Sequence, residues 1–128
     1  MQDYLTEYDA IKATMQQYTD GARAGKSQLM GPAFHPDATF VGYYRGTLFT
    51  GSAQQLFDWI DANGPAPAIE ARFGSIEILE SIAVVRLEVG KWSGKLAGSD
   101  VHMSDVFTLV KTPEGWKISQ KTFHWHSA

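Results

Sequence analysis

Residues 103–125 read MSDVFTLVKTPEGWKISQKTFHW, two runs of alternating apolar and polar residues around one turn. Met103, Asp105, Phe107 and Leu109 share one parity of the first run, and Trp116–Trp125 forms the second. Between them, Thr112-Pro113-Glu114-Gly115 puts proline and glycine where a type I turn takes them. The pattern predicts an antiparallel hairpin. Upstream, Val85, Leu87 and Val89 oppose Arg86 and Glu88, and Ile76 and Ile78 oppose Glu77, so two more strands precede it, each with one wet face. The glycine-rich Ser93–Ser99 is expected to join strands as a hairpin loop.

The first half of the chain reads differently. Tyr4, Tyr8, Ile11, Met15, Tyr18 and Ala22 recur at spacings of three and four, predicting a helix capped by Asp3 and stopped at Gly25. A short helix over Ser27–Met30 follows, then a turn at Phe34-His35-Pro36-Asp37-Ala38, whose proline keeps His35 out of helical space. Thr39–Tyr44 and Thr47–Thr50 read as a strand pair turned by Arg45-Gly46. Ser52 and Gln55 form a capping-box signature for a helix over Ala53–Asp61, with Leu56, Phe57 and Ile60 as its apolar face. Helices before strands, rather than alternating with them, mean α+β. Three helices suffice to cover one face of a curved antiparallel sheet, and a pocket is expected where they fail to meet it.

The 128 residues make one domain's worth of chain, and 44% hydrophobic with 20% charged residues is an ordinary globular mix. With no cysteine, disulfides, thiolate catalysis and cysteine-ligated metals are excluded. A net charge of -3 argues against nucleic-acid binding. No apolar run approaches the roughly 20 residues of a membrane span, and the acidic N-terminal stretch does not resemble a signal peptide. A cytoplasmic protein that binds neither nucleic acid nor membrane is therefore expected.

The segment Phe34-His35-Pro36-Asp37-Ala38, Gly46, the pattern Asp105-x-Phe107-x-Leu109-x-Lys111 and the ending Gly115-Trp116-Lys117-Ile118-x-x-Lys121-x-Phe123-His124 resemble the nuclear transport factor 2-like superfamily. Within it the chain is most similar to the putative lumazine-binding family, a neighbour of the SnoaL-like polyketide cyclases. The resemblance runs over almost the whole chain. It implies a cone-shaped α+β fold, a strongly curved antiparallel or mixed sheet wrapped around N-terminal helices. It also implies homodimers through the open sheet face. The superfamily hosts isomerases, dehydratases, cyclases, ligand carriers and adaptors, so the resemblance leaves the activity open.

An acid–base enzyme on this scaffold needs a carboxylate or imidazole at the pocket and a donor for the developing oxyanion. Asp105, among Met103, Phe107 and Leu109, is the first candidate, with Tyr18 and His124 beside it. Tyr18, Tyr43, Trp59, His102, Asp105, Phe107 and His124 are expected to line the pocket. Each has a structural alternative: a buried aspartate bonded to backbone, or a core tyrosine with a satisfied hydroxyl. Asp37 and His35 read as turn anchors. His124 and His126 share a strand face, a spacing that suits a metal pair with His102, His35 or a carboxylate as third ligand. Spacing fixes no such third ligand, so no metal is expected. Trp116 reads as core. Trp92 and Trp125 fall on the outer parity, an aromatic surface that supports the dimer.

No GxGxxG, Walker, GxSxG or HExxH motif occurs, and no cofactor is expected. The leading expectation is a small-organic-molecule-binding protein with an apolar pocket. Its rivals are a cofactor-independent isomerase, dehydratase or cyclase, and a non-enzymatic dimeric interaction module.

Overall fold

A computed structural model describes residues 3–92 and 102–126. Helices α1 (Tyr4–Ala24) and α2 (Ser27–Met30) and a single 3-10 turn (Gly31–Ala33) lead into β1 (Phe34–Tyr44) and β2 (Thr47–Ser52). Helix α3 (Ala53–Asn63) precedes β3 (Glu70–Leu79), β4 (Ile82–Gly90), β5 (His102–Thr112) and β6 (Gly115–Trp125). The described strands form one six-stranded sheet in the order β2-β1-β6-β5-β4-β3, antiparallel except where β1 runs parallel to β6. The fold is α+β. The expected hairpin loop Ser93–Ser99 lies outside the described residues. Among the described residues, no helix is long and apolar enough to cross a membrane.

Helix α1 starts where predicted, because Asp3 Oδ1 accepts from the backbone N–H groups of Leu5 (3.1 Å) and Thr6 (3.4 Å). It stops at Gly25, whose φ of 67° is the left-handed cap that glycine adopts without strain. Ile11, Met15, Tyr18 and Ala22 are buried as the periodicity requires, whereas Tyr4 and Tyr8 are exposed. Glu7 is buried in their place. Trp116 Nε1 donates to its Oε2 at 2.6 Å, and the Lys111 ammonium donates to its Oε1. Two residues of the C-terminal hairpin thus tie the first turns of α1 to the sheet. Helix α3 carries the complete capping box: Gln55 N–H donates to Ser52 Oγ, and Ser52 N–H donates to Gln55 Oε1.

Three expectations need correcting. Strand β1 begins at Phe34, five residues early: Phe34 already pairs with Ile118, and Pro36, which has no ladder donor, falls in an irregularity between Phe34 and Thr39. There His35, not Asp37, anchors the chain, its Nδ1 accepting from Asp37 N–H at 3.0 Å. The other two corrections concern Trp92 and Trp125, which do not lie on an outer face. Lys91 takes a positive φ of 56° just beyond β4, which ends the strand's alternation and turns Trp92 into the core. In β6, Thr108 pairs with Gln120 but Leu109 pairs with Ile118, so Ser119 is an extra, bulged residue. The bulge reverses the parity beyond it: Trp116 and Ile118 face inward before it, Lys121, Phe123 and Trp125 after it.

The packing of β1 on β6 depends on Gly42, which pairs with Phe123. A Cβ built there would run into the Phe123 carbonyl oxygen and lie 2.6 Å from ring carbons Cδ1 and Cγ. Gly42→Ala should therefore lower stability by about 2 kcal/mol, an overpacking penalty the paired backbone cannot relax. Gly31→Ala, where an added Cβ meets nothing within 4 Å, should stay near wild type. Thermal melts of the two variants check this; equal melting temperatures would refute the close approach.

Candidate functional site

A cavity of about 210 Å³ opens between α3 and the inner face of the sheet. Leu56, Trp59 and Gln55 come from α3, Phe40 and Tyr44 from β1, Phe49 from β2 and Met103 from β5. Lys121, Phe123 and Trp125 of β6 and Trp92 complete the lining. The wall is aromatic because β1, β2 and β6 each turn rings inward: Trp125 meets Tyr44 edge-on at 4.5 Å, and Trp59 of α3 lies 6.2 Å from Trp92. Lys121 is the only charged residue in this lining among the described residues.

Lys121 is buried, and its Nζ lies over three rings, 5.0 Å from the centroid of Phe123, 5.4 Å from Tyr18 and 5.5 Å from Trp92. Such ring faces attract a cation without accepting a conventional hydrogen bond. Asp105, wholly buried, shares this inner face one diagonal step away, since Phe107 pairs with Lys121 and Asp105 with Phe123. Its Oδ2 accepts from the Tyr18 hydroxyl at 3.4 Å, while Oδ1 has no hydrogen-bond partner among the described residues. Asp105 and Lys121 thus act on each other through the low-dielectric interior rather than by direct contact.

Each group is perturbed by its surroundings. Burial raises Asp105 to about 6, opposed by the Lys121 charge and the Tyr18 hydrogen bond. Burial pushes Lys121 below its ordinary value, with the Asp105 charge opposing. Burial, then the Asp105 charge, pushes Tyr18 well above the ordinary phenol range. The result is a buried amine facing an apolar cavity, with a carboxyl behind it that a phenol hydrogen-bonds.

The structure brings together Tyr18, Asp105 and Phe107, with Tyr18 and Phe107 rings 5.0 Å apart, and puts Trp59 in the cavity wall. It does not bring in Tyr43, His102 or His124. Tyr43 and His124 are exposed, their rings 6.4 Å apart, and His102 is exposed beside Glu88. The Ser119 bulge explains His124, which an unbroken alternation from Trp116 would have turned inward. Asp105 itself lies behind Lys121 and is not part of the lining. The charged residue missed from the sequence is Lys121, and most of the aromatic wall was missed with it. The signal for Lys121 was its shared parity with Phe123 and Trp125, a lysine on an aromatic strand face.

The raised Asp105 carboxyl has a consequence for stability. The folded state holds this proton more tightly than the unfolded chain, so the contribution is complete below pH 3.8 and lost as pH rises through about 6. For this wholly buried group the amount is of order 3 kcal/mol. Asp3, Glu7, Asp61, Glu70 and Glu88, all lowered by hydrogen bonds or nearby cations, act in the opposite sense. The expected result is therefore a difference: between pH 4 and pH 6.5, wild type should lose stability relative to Asp105→Asn. Denaturant titrations across that range check it, and parallel curves would show that Asp105 titrates normally.

The model of the family described as "Putative lumazine-binding" matches residues 6–124. Aldolase FrzH from Cladobotryum sp is 31% identical over 119 residues, covering 93% of this chain and 91% of that protein. An NTF2-like protein of unknown function from Methylobacillus flagellatus KT is 34% identical with a TM-score of 0.86, covering 95% of this chain and 94% of that one. A second, from Shewanella baltica OS155, is 29% identical with a TM-score of 0.87, and each chain is covered completely, at 100%. The chain belongs to the Putative lumazine-binding family, on the nuclear transport factor 2-like fold.

Proposed function

We propose that the protein is a cofactor-independent acid–base enzyme of the aldol class, acting on a small, largely apolar carbonyl compound held in the aromatic cavity. The observation that carries this reading is Lys121, a buried amine that is the one charged group in an otherwise apolar lining. The relative named Aldolase FrzH, 31% identical along nearly the whole chain, supports it.

In this reading the neutral Lys121 amine removes a proton from the carbon next to the substrate carbonyl. The ammonium so formed stands against the enolate oxygen. The enolate carbon attacks a second carbonyl carbon, forming the carbon–carbon bond, and the new alkoxide takes the proton back from Nζ. No redox step is involved and the proton balances. Burial, which lowers Lys121 against the opposing Asp105 charge, favours the neutral amine that must take the proton. Stabilisation of one developing oxyanion by one buried donor is worth roughly 10²–10³ in rate. Asp105 and Tyr18 act as positioning residues through Lys121, not as groups that touch the substrate.

Binding without turnover is the second reading, favoured by the apolar lining itself. The acetone–benzaldehyde aldol adduct, cleaved in the reverse direction to release benzaldehyde, separates the two. Wild type should accelerate its cleavage, Lys121→Met should lose roughly a hundredfold or more, and Asp105→Asn should shift the pH–rate profile. Tryptophan fluorescence reports binding independently, because Trp59, Trp92 and Trp125 all line the cavity. Quenching by this and other β-hydroxy ketones without cleavage of any would overturn the enzyme reading and leave a binding protein.

A further inference from the structure

On the sheet face opposite the cavity, three of the chain's four histidines gather at one end of β4, β5 and β6. His102 Nε2 lies 2.8 Å from Glu88 Oε1, and the His102 and His126 rings stack at 4.7 Å. The ring of His124 stands 5.1 Å from that of His126. Ser104 Oγ donates to Glu88 Oε1 at 2.8 Å and lies 2.7 Å from His126 Nε2. One ligand atom from each of Glu88, His102 and His126 falls within 4.8 Å of the others.

We propose that Glu88, His102 and His126 bind a divalent transition-metal ion of the zinc type, with a fourth position open to solvent. The argument is independent of the aldol reading. Two imidazoles and one carboxylate suit zinc, and imidazole disfavours calcium and magnesium. In a tetrahedral site with bonds of about 2.0–2.1 Å the ligand atoms stand about 3.4 Å apart. Closing the cluster therefore needs shifts of about 1 Å, which side-chain rotation supplies.

The support around the ligands is already in place. Arg86 Nε donates to Glu88 Oε2 at 3.1 Å and Ser104 Oγ donates to Oε1, so the carboxylate is held in place as metal ligands are by their outer partners. The positive charge of Arg86 works against the cation, and binding must overcome it. His126 N–H donates to the His102 carbonyl oxygen at 2.9 Å, which fixes the two imidazole-bearing residues relative to each other. Met103 and Trp125 pair between these residues and face the cavity from the other side of the same strands. An ion here clamps the strand ends that present them.

Isothermal titration of untagged protein with zinc chloride tests the site. Wild type should take up one zinc per chain, and tryptophan fluorescence should change as the Trp125 strand end is clamped. Glu88→Gln and His126→Ala should each weaken binding at least about tenfold. His35→Ala and Lys121→Met should bind as wild type does. No stoichiometric uptake by wild type, or unchanged affinity in both ligand variants, would overturn the proposal. The Lys121→Met arm keeps this outcome separate from any failure of the aldol reading.

Discussion

One bulged residue, Ser119, decides what chemistry each face of the sheet carries. Its hydroxyl donates to the Thr108 carbonyl oxygen at 3.0 Å, so the 2.7 Å contact between the two hydroxyls has Thr108 as donor. These two bonds take up polar groups that the interrupted ladder would leave unpaired. Ahead of the bulge, β6 supplies core residues Trp116 and Ile118; beyond it, the opposite parity turns Lys121, Phe123 and Trp125 toward the cavity. The same reversal puts His124 and His126 outside. Had β6 kept an unbroken alternation through Ser119, the cavity would receive Gln120, Thr122 and His124, and the amine would lie on the wet face.

Stability alone gives no reason to hold Lys121 and Asp105 where they are. Desolvating two ionisable groups costs several kcal/mol each, and attraction recovers it only with good geometry and satisfied hydrogen bonds. Here the geometry is poor: Asp105 Oδ1 has no partner among the described residues, the Tyr18 bond is long at 3.4 Å, and no hydrogen bond joins carboxyl to amine. Apolar residues of similar volume would pack at least as stably. The contrast with Glu7 is instructive. Glu7 has both oxygens occupied, by Lys111 and by Trp116, and its carboxyl lies below the ordinary range, whereas Asp105 lies above it. One buried carboxylate is a fastener and the other is a perturbed acid.

Much of this fold was legible because its signals are local. The α1 periodicity, the Asp3 cap, the Ser52–Gln55 box and the period-two strands each rest on neighbours a few residues apart. The resemblance to a known family then supplied the order in which they pack. Parity errors came where a single backbone event resets the alternation. Lys91 with its positive φ and the bulge at Ser119 leave no mark in a hydrophobic pattern, and each misplaced a tryptophan. Asp105 and Tyr18 were readable because no such reset falls within the strand or helix that carries each. Lys121 was not, since a lysine two residues before a phenylalanine reads as the polar half of a wet strand until the parity is known. Glu88 as a neighbour of His102 and His126 depends on pairing across three strands, which no spacing along the chain encodes.

The aromatic cage around Lys121 bears on how a carbonyl reaction would run there. An amine that shuttles a proton alternates between neutral and charged forms, and an ordinary buried site stabilises only one. Carboxylates in direct contact would hold the ammonium too firmly for it to give the proton back. Fully apolar walls would keep the amine neutral. The faces of Tyr18, Trp92 and Phe123 lie between these limits, each offering a cation of order 1 kcal/mol of attraction while competing with no substrate oxygen for its N–H groups. Asp105, set back from the lining, adds charge without contact. In the proposed reaction, a carboxyl set back from the lining would leave the N–H bonds of the ammonium free to turn toward an enolate.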